Sequence, residues 1–181
     1  MKEKKLHSFA YYGPSPKHDT PAGGFCISVF AIIRKNGSNK VLLVRPKDRR
    51  KWREQWSPNI RLMSPARLAK FESSWVFPGG YIREGEAPEA ALKRIMEDQL
   101  GISRFSAGRA KLYNFYDPSN IFPGRMHWDY CFVFNVRTGK RIRKWGWLSS
   151  AEFVDPANFA REDFSSAQGD LALAIGLLRG K

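Results

Sequence analysis

The stretch GGYIREGEAPEAALKRIMEDQLGI, residues 79–102, reads as a glycine-rich loop running into an amphipathic helix. From Ala87 to Leu100 the apolar residues Ala91, Leu92, Ile95, Met96 and Leu100 fall at helical spacing, and Gly101 stands just past the end, where a left-handed residue stops a helix. Upstream, Trp75-Val76-Phe77 leads into Pro78-Gly79-Gly80, which predicts a strand ending in a tight loop. Glycines let a backbone turn sharply and approach a phosphate with no Cβ in the way. The helix start beyond them offers free N–H groups to anions. Gly79 and Gly80 are therefore candidate phosphate-binding residues.

Working outward, Phe25–Ile33 and Lys40–Arg45 are β-branched and aromatic runs separated by Lys35-Asn36-Gly37-Ser38-Asn39, which predicts a hairpin. Further strands are expected at Lys111–Tyr116, Trp128–Val136 and Trp147–Phe153, and a last helix near Ser166–Arg179. Strands mixed with two well-spaced helices argue for an α/β fold with a mixed sheet covered on both faces. Residues 1–21 read as an extended N-terminal arm, and residues 22–181 as one domain carrying a basic insert at about 46–74.

In its residues and spacing, the 79–102 stretch resembles the signature box of the Nudix superfamily, G-x5-E-x7-R-E-U-x-E-E-x-G-U with U a bulky aliphatic. Gly80, Glu86, Arg94, Met96, Gly101 and Ile102 fall in register without insertion or deletion. Trp147–Phe153 is similar to the family's segment after the last core strand, so the resemblance covers roughly residues 22–179. It implies a Nudix-type α/β/α sandwich with a mixed β-sheet. It also implies an ion pair between Glu86 and Arg94 that holds the loop in shape, with Gly101 structural. In the family, three carboxylates of the box gather Mg²⁺ or Mn²⁺ for phosphoanhydride cleavage. They map onto Ile95, Asp98 and Gln99. One short acid beside an aliphatic and an amide is little negative charge for clustering hard cations. Asp98 and Gln99 remain the candidate catalytic and metal-ligating residues, with Asp129 as a carboxylate from outside the helix. Acids restored at positions 95 and 99 are expected to raise metal affinity.

Composition narrows the rest. The chain has 181 residues, 43% apolar and 14% aromatic, which excludes wholesale disorder and suits one domain better than two. Lys and Arg number 31 against 17 acids, a formal charge of +14 that favours polyanionic partners. Half of that surplus lies between Arg45 and Lys70, nine cations against Asp48 and Glu54. Arg45, Arg49, Arg50 and Arg53 interleave there with Trp52 and Trp56. Charge for phosphates and flat rings for bases make a groove for single-stranded nucleic acid; alternatively the two Trp side chains pack the insert onto the domain. His127 and Trp128 are candidates for lining a nucleotide pocket, with core packing as the alternative for Trp128. Cys26 and Cys131 lie in apolar runs and read as buried free thiols in a reducing, cytoplasmic setting. No secretory signal or spanning apolar run is visible. Together these point to an RNA- or nucleotide-binding protein with weakened or lost hydrolase activity, working inside a ribonucleoprotein assembly. The alternative is a Mg²⁺-dependent pyrophosphohydrolase acting on a nucleoside diphosphate linked to another group.

Overall fold

The structure, a computed structural model, describes residues 10–11, 23–47, 65–119, 124–140, 142, 148–165 and 168–178. Its centre is β2 (Phe25–Arg34), the apolar run that alternates its side chains between two cores. One edge of β2 pairs in parallel with β7 (Met126–Arg137) along its whole length, from Phe25↔Trp128 to Arg34↔Arg137. The other edge is shared in turn by three antiparallel partners. These are β1 (Ala10–Tyr11) at Phe25–Cys26, β4 (Gly79–Tyr81) at Ser28–Phe30, and β3 (Val41–Pro46) at Arg34. The two hairpin strands thus part after their turn, and β4 occupies the gap between them. An isolated bridge from Val44 to Val76 ties β3 to the segment entering β4. Outer strands β5 (Ser106–Ala107) and β6 (Lys111–Pro118) pair with β7, and β8 (Leu148–Val154) with β3, completing eight strands of mixed direction. The stretch read as an arm therefore contributes a short strand, Ala10–Tyr11, to the sheet.

Odd-numbered positions of β2 (Val29, Ala31, Ile33) meet Phe134 and Val136 and the apolar stripe of α2 (Pro88–Leu100). Ala91, Leu92, Ile95, Met96 and Leu100 of that stripe are at most 2% exposed. Burying its four large side chains contributes about 6–12 kcal/mol before entropy is charged. Even-numbered positions (Phe30, Ile32) meet Cys131, Val133, Trp75, Phe77, Phe164 and the C-terminal helix α3 (Gln168–Ala174). These two cores on opposite faces make the α/β/α sandwich. Helix α1 (Pro65–Ser73) closes the stretch read as a basic insert and sets Phe71 into the α2-side core.

Helix α2 starts at Pro88, with Ala87 as an extended N-cap, and ends at Gly101 with φ 68°. The Gly101 N–H donates to Glu97 O at 2.9 Å and the Ile102 N–H to Met96 O at 3.0 Å, a glycine-closed terminus with Ile102 folded back into the core. Among the described residues no helix is long and apolar enough to cross a membrane.

Gly79 is required by close approach. A Cβ there would stand 2.5 Å from Phe30 Cδ1 and 2.7 Å from Val29 O. Gly79→Ala is expected to lower stability by about 1–3 kcal/mol in urea titration through overpacking; an unchanged midpoint would show that β4 can shift away from β2.

Candidate functional site

Among the described residues strand β4 has one strand neighbour, so the outward backbone groups of Gly79 and Tyr81 need other partners. Helix α2 supplies them. The Gln99 amide grips the Gly79 peptide groups from both sides: Gly79 N–H donates to Oε1 at 3.1 Å, and Nε2 donates to Gly79 O at 2.7 Å. One turn and a half earlier, Arg94 Nη2 donates to Tyr81 O at 3.0 Å. The same guanidinium makes a bidentate pair with Glu86, both bonds 2.7 Å, and Glu86 in turn accepts from the Arg83 N–H at 2.9 Å. The loop turns at Gly85, whose φ of 73° lies in the left-handed region. Burial works against the Glu86 carboxylate, but Arg94 and the Arg83 N–H outweigh it and hold its pKa below the ordinary value. Arg83 is partly buried beside Arg94, and burial followed by that like charge draws its own pKa down.

The three box positions assigned to metal ligation separate in space. Ile95 is fully buried in the α2-side core. Gln99 is 2% exposed with both amide atoms engaged on Gly79, so in this arrangement neither is offered to a cation. Asp98 is exposed at the surface of α2. Among the described residues, no group of three metal-ligating side chains forms around Asp98. The donor set present here therefore does not fit the clustered hard cations that the family uses. A glutamate at position 95 would enter a core with no partner for its charge.

Asp129 lies elsewhere. Positions 127, 129, 131 and 133 of β7 alternate onto the face opposite α2, with Cys131 and Val133 in the second core. There the His127 Nε2 is 3.0 Å from Asp129 Oδ1 and 3.2 Å from Cys26 Sγ, while Nδ1 is 3.3 Å from Gly23 O. The Cys26 thiol itself donates to Asp129 Oδ1. Burial, then Asp129, pushes the Cys26 thiol pKa well up. For His127 burial acts downward, but the Asp129 hydrogen bond and charge carry its pKa above the usual value.

His127 and Trp128, successive on one strand, point to opposite faces and do not line one pocket. Trp128 is on the α2 side with Tyr116 and Tyr130: its ring centroid is 5.2 Å from Tyr116 and 6.0 Å from Tyr130, the latter ring within 18° of parallel. Tyr116 is 53% exposed. Tyr130 is paired with Ile27, whose carbonyl accepts from the Ile82 N–H at 3.0 Å, so the aromatic row runs toward the box loop across two strands. Arg45 lies over the Trp75 ring at 4.3 Å, a packing contact. Arg49, Arg50, Trp52, Arg53 and Trp56 lie outside the described residues. Cys26 is a buried thiol as its sequence context implies, but its polar partners, like Tyr81, Arg83, Gly85 and Asp117, are not anticipated there. Their importance comes from strand register and loop geometry, for which adjacent sequence carries no signal.

An α/β/α sandwich with a glycine loop locked to the following helix through Glu86 and Arg94 defines the class. The NUDIX domain family model matches residues 24–173, and the chain belongs to that family. Over 51 residues the chain is 41% identical to the 8-oxo-dGTP diphosphatase of Haemophilus influenzae, a match covering 28% of this chain and 38% of that protein. The match thus spans well under half the length of that relative. Among solved structures, the E. coli dihydroneopterin triphosphate pyrophosphohydrolase superposes with TM-score 0.55 at 14% identity, covering 83% of this chain and 94% of that one. A MutT protein from Methanosarcina mazei Go1 gives 0.56 at 16% identity, covering 87% and 94%. At such identities the likeness is one of fold.

Gln99→Ala should cost about 2–4 kcal/mol in denaturant unfolding, because it leaves the Gly79 N–H and carbonyl buried without partners and opens a small void. A loss below about 0.5 kcal/mol, within the range of ordinary surface changes, would mean the clamp is dispensable. The Glu86–Arg94 pair makes stability depend on pH. The folded-state pKa of Glu86 is depressed, so its contribution is complete above the ordinary value of 4.5 and is lost as pH falls through the lower folded value. Melting curves from pH 6 down to about pH 3 should show a steeper fall for the parent than for Glu86→Gln; parallel curves would remove this pair as the titrating element.

Proposed function

We propose that this chain uses the Nudix architecture to bind a phosphate-bearing nucleotide chain, single-stranded RNA above all, with little or no hydrolase activity. The observation that carries the reading is the fate of the box positions. Ile95 is sealed in the core and Gln99 is spent on Gly79, so of the three box positions Asp98 alone offers an exposed acid. Phosphoanhydride cleavage in metal-dependent sites needs cations held against both the attacking and the leaving oxygens, and one acid supplies too little charge for that. Support for the ligand comes from the row Tyr116–Trp128–Tyr130 on the face that α2 shares, which offers flat surfaces to bases. The +14 charge supplies the attraction for phosphates. Ala87 provides no side-chain cap for the first turn of α2, so those N–H groups remain open to an anion. An assembly with RNA and other proteins is the setting this charge suits.

A second reading has its own support. The loop lock of Glu86, Arg94 and Arg83 is intact, and the local likeness to an 8-oxo-dGTP diphosphatase is well above chance. On that reading the chain is a Mg²⁺-dependent pyrophosphohydrolase of a nucleoside diphosphate derivative relying on Asp98.

One pair of assays separates them. Single-stranded RNA should bind with affinity that falls as salt rises. Trp128→Ala should weaken it by about 5- to 150-fold, the equivalent of 1–3 kcal/mol for one stacked base. Incubation with Mg²⁺ or Mn²⁺ and nucleoside di- and triphosphates should release no phosphate above the protein-free rate. Turnover abolished by Asp98→Ala would replace the binding reading with the hydrolase, and RNA binding absent at low salt would end it.

A further inference from the structure

We propose that Cys26, His127 and Asp129 form a binding site for one borderline-soft divalent transition metal of the Zn²⁺ kind, on the face of the sheet opposite the box helix. The site stands apart from the proposed function, and either can fail alone.

Register creates it. Cys26 and Asp129 are direct partners across the parallel β2–β7 pair, and His127 lies two residues before Asp129 on the same face. Sγ, Nε2 and Oδ1 thus converge, the three ligand atoms lying within 4.8 Å of one another. The arrangement is unlike a nucleophile relay, in which the acid and the nucleophile sit on opposite ring nitrogens. Here both face Nε2, and Nδ1 faces the Gly23 carbonyl at 3.3 Å. A backbone carbonyl on the far nitrogen is the usual device for orienting a metal-bound imidazole. Zinc bonds of about 2.0–2.3 Å at a tetrahedral angle would place these ligand atoms roughly 3.4–3.6 Å apart. The His127 contacts of 3.0 and 3.2 Å need to open by only a few tenths of an ångström, and the closer Cys26–Asp129 contact must open further.

Charge balance agrees. The contacts among the three side chains are satisfied together by an imidazolium, a thiol and a carboxylate, which sum to zero. A divalent cation bound by imidazole, thiolate and carboxylate also sums to zero, with two protons released to solvent. The exchange therefore leaves no net charge buried. A second acid stands beside the trio: Asp117 is paired with His127 across β6–β7, and its Oδ2 is buried with no hydrogen-bond partner among the described residues. A water, which that oxygen can hold, is the fourth donor. Thiolate with imidazole selects Zn²⁺ or Co²⁺ over Mg²⁺. Entry is from the Asp129 side, whose side chain is 13% exposed against 4% for His127.

The test uses the full chain, untagged and reduced, titrated with Co²⁺. One Co²⁺ per chain should bind, giving intense tetrahedral visible bands and a sulfur-to-cobalt charge-transfer band, both abolished by equimolar Zn²⁺ and untouched by excess Mg²⁺. Cys26→Ser should remove the charge-transfer band and weaken binding by about 100-fold, at least what loss of an outer-shell partner costs. Cys131→Ser, which deletes the other buried thiol, should retain both. Asp129→Asn keeps the side-chain shape and should keep the sulfur band while binding about tenfold more weakly; it decides the matter if Cys26→Ser does not fold. Absence of a charge-transfer band, or its equal loss in Cys131→Ser, overturns the proposal.

Discussion

The constraint on which the rest of this molecule depends is the open edge of β4. A three-residue strand with one strand neighbour exposes backbone groups that cannot be left unpaired in a core. This fold answers with two side chains of α2, Gln99 on Gly79 and Arg94 on Tyr81. Those bonds hold the loop onto the helix that follows it. They also place α2 so that its apolar stripe covers one face of the sheet. The opposite core uses a similar solution: Gln168 of α3 accepts the Phe77 N–H at 2.7 Å, just before the same strand. Two glutamines, from two layers, thus hold the segment that carries the box.

This clamp bears directly on chemistry. An amide at position 99 both accepts from the Gly79 N–H and donates to the Gly79 carbonyl. An ionised carboxylate can do only the first, since it has no proton to donate. A residue serving the strand edge with both atoms has nothing left for a cation. Glutamine, where the family places a carboxylate, thus serves the rigidity of the strand edge. Ile95 plays a matching part, because its side chain adds to the core at a point where a charge would need solvent or a partner. The departures at 95 and 99 are coupled to fold stability rather than being two separate losses.

How much of this was legible beforehand follows from which interactions are local. The helix over residues 88–100 and its glycine stop are set by spacing within one segment, and they can be read from it. The Glu86–Arg94 pair is eight residues apart across one turn and one helix start, and a register match suffices to anticipate it. Gln99 could not be read in the same way, because its partner becomes available only when β4 inserts between β2 and β3. Asp129 and Cys26 are 103 residues apart, and nothing but the parallel pairing of their strands brings them together. The grouping of His127 with Trp128 fails for an elementary reason: neighbours on a strand face opposite ways. Composition gave no help there, since both residue types are as common in cores as in sites.

The sheet consequently separates two kinds of polar chemistry that a linear reading would merge. On the α2 side lie the loop, the exposed Asp98 and the aromatic row, the surface proposed above for phosphates and bases. Behind it, Cys26, His127 and Asp129 are held in a nearly dry layer where Sγ, Nε2 and Oδ1 are committed to one another. In a low-dielectric layer an acid and a histidine strengthen each other, and removing either would strand the partner. Asp129 therefore serves the second layer, and a carboxylate on that face cannot make up for the acids missing from α2. The cluster and the box loop lie on opposite faces of β2 and β7, so neither draws on the other's partners within the single sheet.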